Sequence, residues 1–568
     1  MTHVDSLTMD VDSIHALPAA DLYRRLATLP GKARLEAILA RKDAEEVVAG
    51  LPVQDFYHLV VEIGPEDSLP LLARARVEQL NHLFDLQWWK KDQVDSARAL
   101  EWLTRLARAG EKKLLAWLAA ADFELLVSLF KKWITVVPAP EEEDLLEARD
   151  RLPVRTLDDQ FFWECLYPRY EDLVNGILSL LFETHRGFYQ ELMNSVLWAS
   201  SVELEEDAYR FHRGRLEDHG VPDFYEAMEI YRAVEPAQFA LDKSAATPHQ
   251  EHGESSPSFA LALLTEKDLL TQSLGTVENR LLADTLQIEL ASVANRVLIA
   301  DRLSLDSPES LRFAVQKAGA YLNLGLQLLG ARSPEDAVGL LERHYLEHLF
   351  RHAHGKIVGV CGRLRNILRK GWLSRWPEGI HILDMPWFET AELLAGKTPR
   401  IIRRDLDNPS VSREDFFRTP EDLRTAKHAI DVIRSVGSLF EALGLEYTSL
   451  GRPEALWARG QIRSRADITL AAVVLSAAGN ALWRGQWSPH PLPVSMWPSL
   501  KPLLTPHDVS KMVRDWIRKI LADSSQQELA EAYFAPILAA YAAEMEPFGG
   551  GQIPDPEMVR FFLFTDQQ

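Results

Sequence analysis

Residues 43–84 carry an apolar pattern that repeats every twelve residues. Each unit begins with a polar residue, apolar residues follow four and five positions later, and the first three units have another after eight. These spacings place the apolar side chains on one helical face, and a polar residue is typical of a helix start. Helices this short are unstable alone, so the pattern predicts a stacked superhelix. The units begin at Asp43, Asp55, Asp67 and Gln79, and their apolar positions are Val47, Val48, Leu51, Leu59, Val60, Ile63, Leu71, Leu72, Ala75, Leu83 and Phe84.

This array resembles the N-terminal cytosolic domain of MgtE-type magnesium transporters and the related superhelix of the flagellar motor switch. The resemblance rests on Asp43–Pro52, Asp55–Pro65 and Asp67–Arg76, with a later unit at Asp122–Leu126. It implies a stacked regulatory or protein-interaction element rather than a catalyst. No transmembrane block follows the array in the sequence, so the resemblance does not extend to transport. No ion-binding acid of that family can be matched to a position here.

The charge balance bears on the choice of partner. The chain of 568 residues has 62 Lys and Arg against 83 Asp and Glu, which gives a formal net charge of −21. Non-specific binding of nucleic acid requires a basic surface, so we expect no nucleic-acid partner. Basic stretches at Lys112–Lys113, Arg363–Lys370 and Arg400–Arg404 are interpreted as solvated helix faces or helix ends. A local basic patch is the alternative interpretation.

Cysteine use and hydropathy indicate a compartment. Cys165 and Cys361 lie far apart and belong to no paired motif, as is typical of a reducing environment. The N-terminus lacks the apolar core of a signal peptide. The longest apolar stretches, such as Ile468–Ala478, fall short of the ~20 residues that a membrane span needs. We therefore expect a soluble cytoplasmic protein without membrane insertion.

Helical periodicity, with sparse strand patterns, predicts an all-α, multi-domain protein. The segment Arg213–Arg232, with its Gly-Val-Pro break, loosely resembles an uncharacterised family of long helical bacterial proteins. That resemblance implies a family and no function. The apolar end Phe561–Phe564 is expected to dock back on the body of the protein. The predicted regions are a helical superhelix at 1–140, a second helical region at 141–241, a flexible linker at 242–258, a bundle-like domain at 259–376, and a mostly helical domain with a Pro- and Trp-rich loop at 377–568.

One cluster of side chains suggests metal chemistry. His344, His348 and His352 are spaced by four residues, which predicts three imidazoles on one helical stripe, and His354 follows. Two histidines four residues apart on a helix can bind one transition metal ion. The segment from His344 to His348 also matches the H-x-x-E-H pattern of inverted zinc peptidases, in which the Glu activates water. The sequence therefore gives His344, Glu347 and His348 as candidate ligands of a divalent transition metal, the one candidate cofactor.

An alternative interpretation of this cluster is structural. Three histidines on successive turns span about 12 Å along a helix, so they cannot all reach one tetrahedral ion. Histidines at the boundary of an apolar helix face, hydrogen-bonded or titrating, explain the pattern as well. A third metal ligand is not assigned, and Glu289 and Glu278 are the two acids that we consider.

Other catalytic signatures are missing from the sequence. It has no phosphate-binding loop, no dinucleotide-binding fingerprint and no nucleophile elbow. We predict a helical scaffold or regulatory protein that binds an unknown protein partner, with no catalytic residue assigned. The first alternative is a metal-binding protein or metal-dependent enzyme centred on the His-rich helix. A weaker one is ligand stacking on tryptophans, for which core packing is the preferred interpretation: Trp88, Trp89, Trp483, Trp487 and Trp497.

Overall fold

A computed structural model describes residues 22–23, 26, 29–140, 149–234, 256–404, 412–444, 465–548, 555 and 558–565. The structure is 71% helical, with 24 helices and short strand pairs among these residues, which confirms the predicted all-α class. Its contacts group the chain into two compact units. The first comprises Met1–Leu322 and Gly330–Arg351, and the second comprises Asn323–Leu329 and His352–Gln568. Most of the linker predicted at 242–258 lies outside the described residues.

The first unit is built mostly from short helices. Its helices are α1 (Gly31–Leu39), α2 (Ala44–Gly50), α3 (Val53–Ile63), α4 (Leu69–Leu72), α5 (Val77–Trp88), α6 (Ser96–Ala109), α7 (Glu111–Ala120), α8 (Phe123–Trp133), α9 (Glu171–Thr184), α10 (Arg186–Trp198), α11 (Ser201–Asp218), α12 (Phe224–Met228), α13 (Phe259–Ala262), α14 (Leu269–Thr276) and α15 (Arg280–Ala300). Helix α16 (Pro308–Leu328) begins in this unit and ends in the second, and α17 (Pro334–Arg343) follows it in the first.

The second unit contains most of the longest described helix, α18, and the helices that follow it. Its helices are α18 (Leu346–Lys370), which begins in the first unit, α19 (Trp387–Ala395), α20 (Pro420–Ala442), α21 (Leu470–Arg484), α22 (Trp497–Leu500), α23 (Pro506–Ile520) and α24 (Ser524–Met545).

Eight short strands form four pairs among the described residues. Three pairs are antiparallel: β1 (Trp89–Lys90) with β2 (Gln93–Val94), β3 (Ile134–Pro138) with β4 (Phe161–Cys165), and β5 (Ile401–Arg404) with β6 (Ser412–Asp415). The fourth is parallel and joins β7 (Leu492–Pro493) to β8 (Phe564–Thr565). None of the helices in the described ranges is long and apolar enough to cross a bilayer.

The apolar end of the chain packs into the second unit. Phe562, Leu563 and Phe564 are buried. The Leu563 N–H donates to Ser476 Oγ at 2.7 Å, and the pairing of β7 with β8 fixes the segment further. This confirms the prediction that the apolar end docks back on the body.

The apolar positions of the twelve-residue array face the core, as predicted. All eleven are buried, with exposed fractions of 6% or less. The regular period, in contrast, is not kept by the helices, because α2 to α5 begin at Ala44, Val53, Leu69 and Val77. Gly64 ends α3 with φ of 91°, a left-handed backbone that favours glycine, and the turn after it delays the next helix.

Two of the polar residues that open the units lie inside helices rather than at their starts. Asp55 lies within α3, and its buried carboxylate accepts the Ser258 and Phe259 N–H groups at 2.9 and 2.8 Å, at the start of α13. Gln79 lies within α5, and its amide donates to Val48 O and Leu51 O, both at 2.8 Å. The predicted position at the helix start was therefore wrong for both residues. Gln79 still helps to cap α5, because its Oε1 atom accepts the Arg76 N–H at 2.8 Å. A buried polar side chain needs partners, and here those partners are distant backbone groups.

Most of the tryptophans named in the sequence analysis pack against other rings, and Trp483 instead contacts the Arg484 guanidinium. Trp88 stacks on Phe84 with ring centroids 4.3 Å apart, and Trp487 stacks on Trp516 at 4.7 Å. Trp497 is 2% exposed and lies edge-on to the ring of a phenylalanine in β8. These contacts support core packing over a ligand-stacking platform.

Candidate functional site

The candidate metal ligands do not lie on one helix. Helix α17 ends just before His344, and α18 begins two residues after it, so His344 lies in the connection, with φ of −120° and ψ of 141°. Glu347 and His348 lie in the first turn of α18. The prediction of a continuous helical stripe from His344 to His352 was therefore wrong. His352 and His354 belong to the second unit.

The acids near His348 bond to other groups of the protein. Arg351 donates to the Glu347 carboxylate at 3.3 Å. Glu289, one of the two acids considered as a third ligand, accepts the Leu346 N–H at 2.9 Å and so anchors the start of α18. Burial lowers the pKa of His348. Within the described ranges, no group of three or more His, Cys, Asp or Glu side chains is placed to hold a metal ion. The metal site remains a prediction from the sequence.

The second unit contains an open cleft of about 460 Å³ between α18 and α20. One wall is a stripe on α18 made by Arg363, Asn366 and Lys370. Three- and seven-residue spacings place these side chains on one helix face. The other wall is a stripe on α20 made by Arg434, Ser438 and Glu441. Their four- and three-residue spacings also place them on one helix face. All six wall residues are exposed, so the cleft presents polar side chains from two helices to solvent.

The floor of the cleft is apolar and tightly packed. Ile367 and Trp372 are buried, and the Trp372 indole N–H donates to Ile433 O at 3.0 Å. Gly437 of α20 lies directly against the indole, because a Cβ built there would lie 2.5 Å from Trp372 Cδ1. A side chain at this position would displace the tryptophan. Glycine is therefore the residue that lets the indole reach α20.

The charges of the cleft are mostly positive. Arg363 and Lys370 form no ion pair with any residue that the structure describes. Arg434 contacts Asp431 at 3.5 Å on its own helix, an exposed pair of small energetic value. The single acid of the walls, Glu441, is bound by Arg375 at 2.9 Å. The cleft therefore presents three cations, in a protein whose formal net charge is −21.

Comparison with known proteins identifies a family. The sequence profile described as "Family of unknown function (DUF6178)" matches residues 12–565. The chain belongs to the DUF6178 family. No curated protein and no solved structure matches the chain.

In this DUF6178 chain a second, much smaller cavity lies in the first unit. It is lined by Tyr57, His58, His82 and Asn295 among others, and its volume of about 10 Å³ is near the minimum that holds one water molecule. His82 is 3% exposed, and its Nδ1 atom has no hydrogen-bond partner among the described residues. Desolvation lowers the pKa of His82 to about 3, and that of half-buried His58 to about 3 as well. A cavity of about 10 Å³ is too small for an organic substrate, so the open cleft is the better candidate site.

One wall of the cleft has a signal in the local sequence, and the other has none. The basic stretch Arg363–Lys370 predicts a solvated helix face, with a local basic patch as the alternative interpretation. The second wall lies more than sixty positions later on α20, and Arg434 stands alone in its local sequence. No local pattern links the two stripes, because Trp372 and Gly437 bring them together only in the folded unit.

Proposed function

We propose that the protein is a scaffold or regulatory protein that binds a partner protein, and that the cleft between α18 and α20 is its docking site. The observation that carries the proposal is the set of three cations, Arg363, Lys370 and Arg434, on two walls above a packed apolar floor. Side chains on two regular helices are held in place better than side chains on loops. The cleft therefore suits recognition of an acidic segment.

The net charge favours a short acidic segment over nucleic acid. At physiological salt, charges interact over about 8 Å, so a ligand inside the cleft senses mainly its three cations. A long polyanion extends beyond the cleft over a chain that carries 83 acidic and 62 basic residues. Repulsion there opposes nucleic-acid binding, whereas a short segment of a partner avoids it.

We also place this binding in the cytoplasm. Both Cys165 and Cys361 are free thiols, and Cys361 is buried. Unpaired cysteines are the usual state in reducing compartments, which supports this location.

The test is quantitative capture of partner proteins by the tagged full-length chain. The variant Arg363→Glu/Lys370→Glu replaces two attractions by two repulsions. Exposed ion pairs contribute about 0.2–1 kcal/mol each, so we expect the captured amount of a cleft-dependent partner to fall roughly ten-fold. Mass spectrometry at 0.15 M salt measures the amounts.

Arg369→Glu is the matched control. Arg369 and Lys370 both lie in the last turn of α18, where a cation stabilises the helix end, so both substitutions carry the same cost to the helix. Arg369 does not line the cleft. Capture should persist in Arg369→Glu. Equal capture by the wild-type and the double variant would refute the cleft as the docking site.

A further inference from the structure

We infer that the cleft selects an extended acidic peptide whose two carboxylates are three residues apart. This inference rests on the proposed function and specifies the ligand of the same site. Its basis is the spacing of Arg363 and Lys370 on α18, the size of the cleft, and the position of Arg434 on the opposite wall.

The spacing of the α18 cations sets the spacing of the ligand's charges. Arg363 and Lys370 are seven residues apart, which corresponds to about 10.5 Å along an α-helix and nearly the same face. Drawing the long Arg and Lys side chains together onto one small anion costs rotamer entropy, so two separate anionic groups suit this pair of cations better. A ligand that uses both therefore carries two separate anionic groups.

An extended peptide provides that separation. In the polyproline II conformation, residues i and i+3 lie on the same side and about 9.3 Å apart. Two acidic residues at these positions would match the cations of α18 closely. Adjacent acidic residues point to different sides and lie much closer together, so they would engage only one of the two.

The size of the cleft favours an extended peptide over a helix. An α-helix with its side chains is about 10–12 Å across, so a single turn of about 5.4 Å occupies roughly 400–600 Å³. One turn alone would therefore take up about the whole 460 Å³ of the cleft. That volume is typical of sites that hold a small ligand or a few residues. Arg434 on the facing wall would bind the backbone carbonyls of the peptide or a further acidic residue in it. Glu441 is already held by Arg375 at 2.9 Å, which reduces its repulsion of an acidic ligand.

The test is fluorescence polarisation of three labelled proline- and serine-rich peptides with the full-length protein. One peptide has two Glu residues three positions apart, the second has them adjacent, and the third has Gln at both positions. We expect the first to bind about three-fold more tightly than the second, as one additional exposed ion pair allows. The Gln peptide should bind weakest. Lys370→Glu should abolish the preference for the first peptide, and Arg369→Glu should retain it.

The outcomes separate this inference from the proposed function. Equal affinity for both acidic peptides refutes selection for carboxylates three residues apart. Competition by inorganic phosphate or by a DNA duplex at lower concentrations than the first peptide overturns the choice of a peptide. If no peptide binds while partner capture still depends on Arg363 and Lys370, this inference fails and the docking site stands. If capture is also independent of both residues, the docking site fails too.

Discussion

The first unit should lose stability as the pH falls from 7 to 5, because it buries His82 as a neutral imidazole. Desolvation, with a smaller effect of His219, lowers the pKa of His82 to about 3. The unfolded chain has an ordinary histidine pKa of about 6.5. Between these values the unfolded state binds a proton that the folded state does not. The contribution of His82 to stability is therefore fully present above pH 6.5 and is lost progressively as the pH falls.

The magnitude follows from the width of this window. At pH 5, about 1.5 units below the unfolded pKa, one buried histidine lowers the free energy of unfolding by about 2 kcal/mol. A typical domain has a total of about 5–15 kcal/mol, so this is a large fraction. Asp55 of the same unit acts in the opposite direction, because burial raises its pKa. A comparison of His82 variants isolates the histidine from that effect.

Hydrogen exchange measured by mass spectrometry on the full chain provides the assay. Protection factors for peptides from α3 and α5, corrected for intrinsic exchange rates, give opening free energies at pH 7 and pH 5. We expect His82→Leu to reduce the pH-dependent loss by about 2 kcal/mol. At pH 7 the His82→Leu variant should not lose the stability that a broken hydrogen bond costs. The buried Nδ1 atom of His82 has no hydrogen-bond partner among the described residues. His185→Gln, at an exposed position of the same unit, should leave the loss unchanged. The reasoning is refuted if wild type and His82→Leu lose the same free energy.

Three further predictions concern the second unit and the His-rich segment. Burial raises the pKa of Asp384 to about 6, so its deprotonation should cost the second unit about 1 kcal/mol between pH 5 and pH 7. Asp384→Asn should remove this contribution, which urea denaturation at the two pH values measures. Gly437→Ala places a Cβ 2.5 Å from Trp372 Cδ1 and should lower the free energy of unfolding by about 1–3 kcal/mol, which denaturant melts measure. The control Gly362→Ala adds a Cβ with no neighbouring atom within 4 Å and should cause no such loss. The metal-binding alternative predicts stoichiometric zinc or another divalent transition metal in the purified protein and its loss in His348→Ala, which plasma mass spectrometry measures.

The burial pattern of the array was predictable because it depends on local spacing. Apolar residues four, five and eight positions after a polar one share a face on any helix, so Val48, Val60 and Leu72 are buried even though the helix starts are irregular. The contacts of the polar residues were not predictable from local spacing. Asp55 and Gln79 bond to backbone groups of other helices, and the partners of a buried polar group are set by tertiary contacts.

The helix boundary at His344 shows the same limit. The sequence from Val338 to Phe350 continues an apolar helical stripe, which predicts one helix through all the histidines. In the structure the chain breaks at His344, and the new helix starts where the Glu289 carboxylate accepts the Leu346 N–H. Glu289 lies more than fifty positions earlier, so this anchor has no signature in the local sequence.

The turn at Gly371 and Trp372 holds the two walls of the cleft next to each other. Helix α18 ends where the Gly371 N–H donates to Asn366 O and Ile367 O, at 3.1 and 3.0 Å. The next residue, Trp372, is buried and donates to a backbone carbonyl of α20. The same two residues therefore end the first wall and fix it to the second. A change that moves the indole, such as Gly437→Ala, should alter the separation of the walls without altering any charge. If the spacing of the cations selects the ligand, this variant should weaken the preference for Glu residues three positions apart even though Arg363, Lys370 and Arg434 are intact.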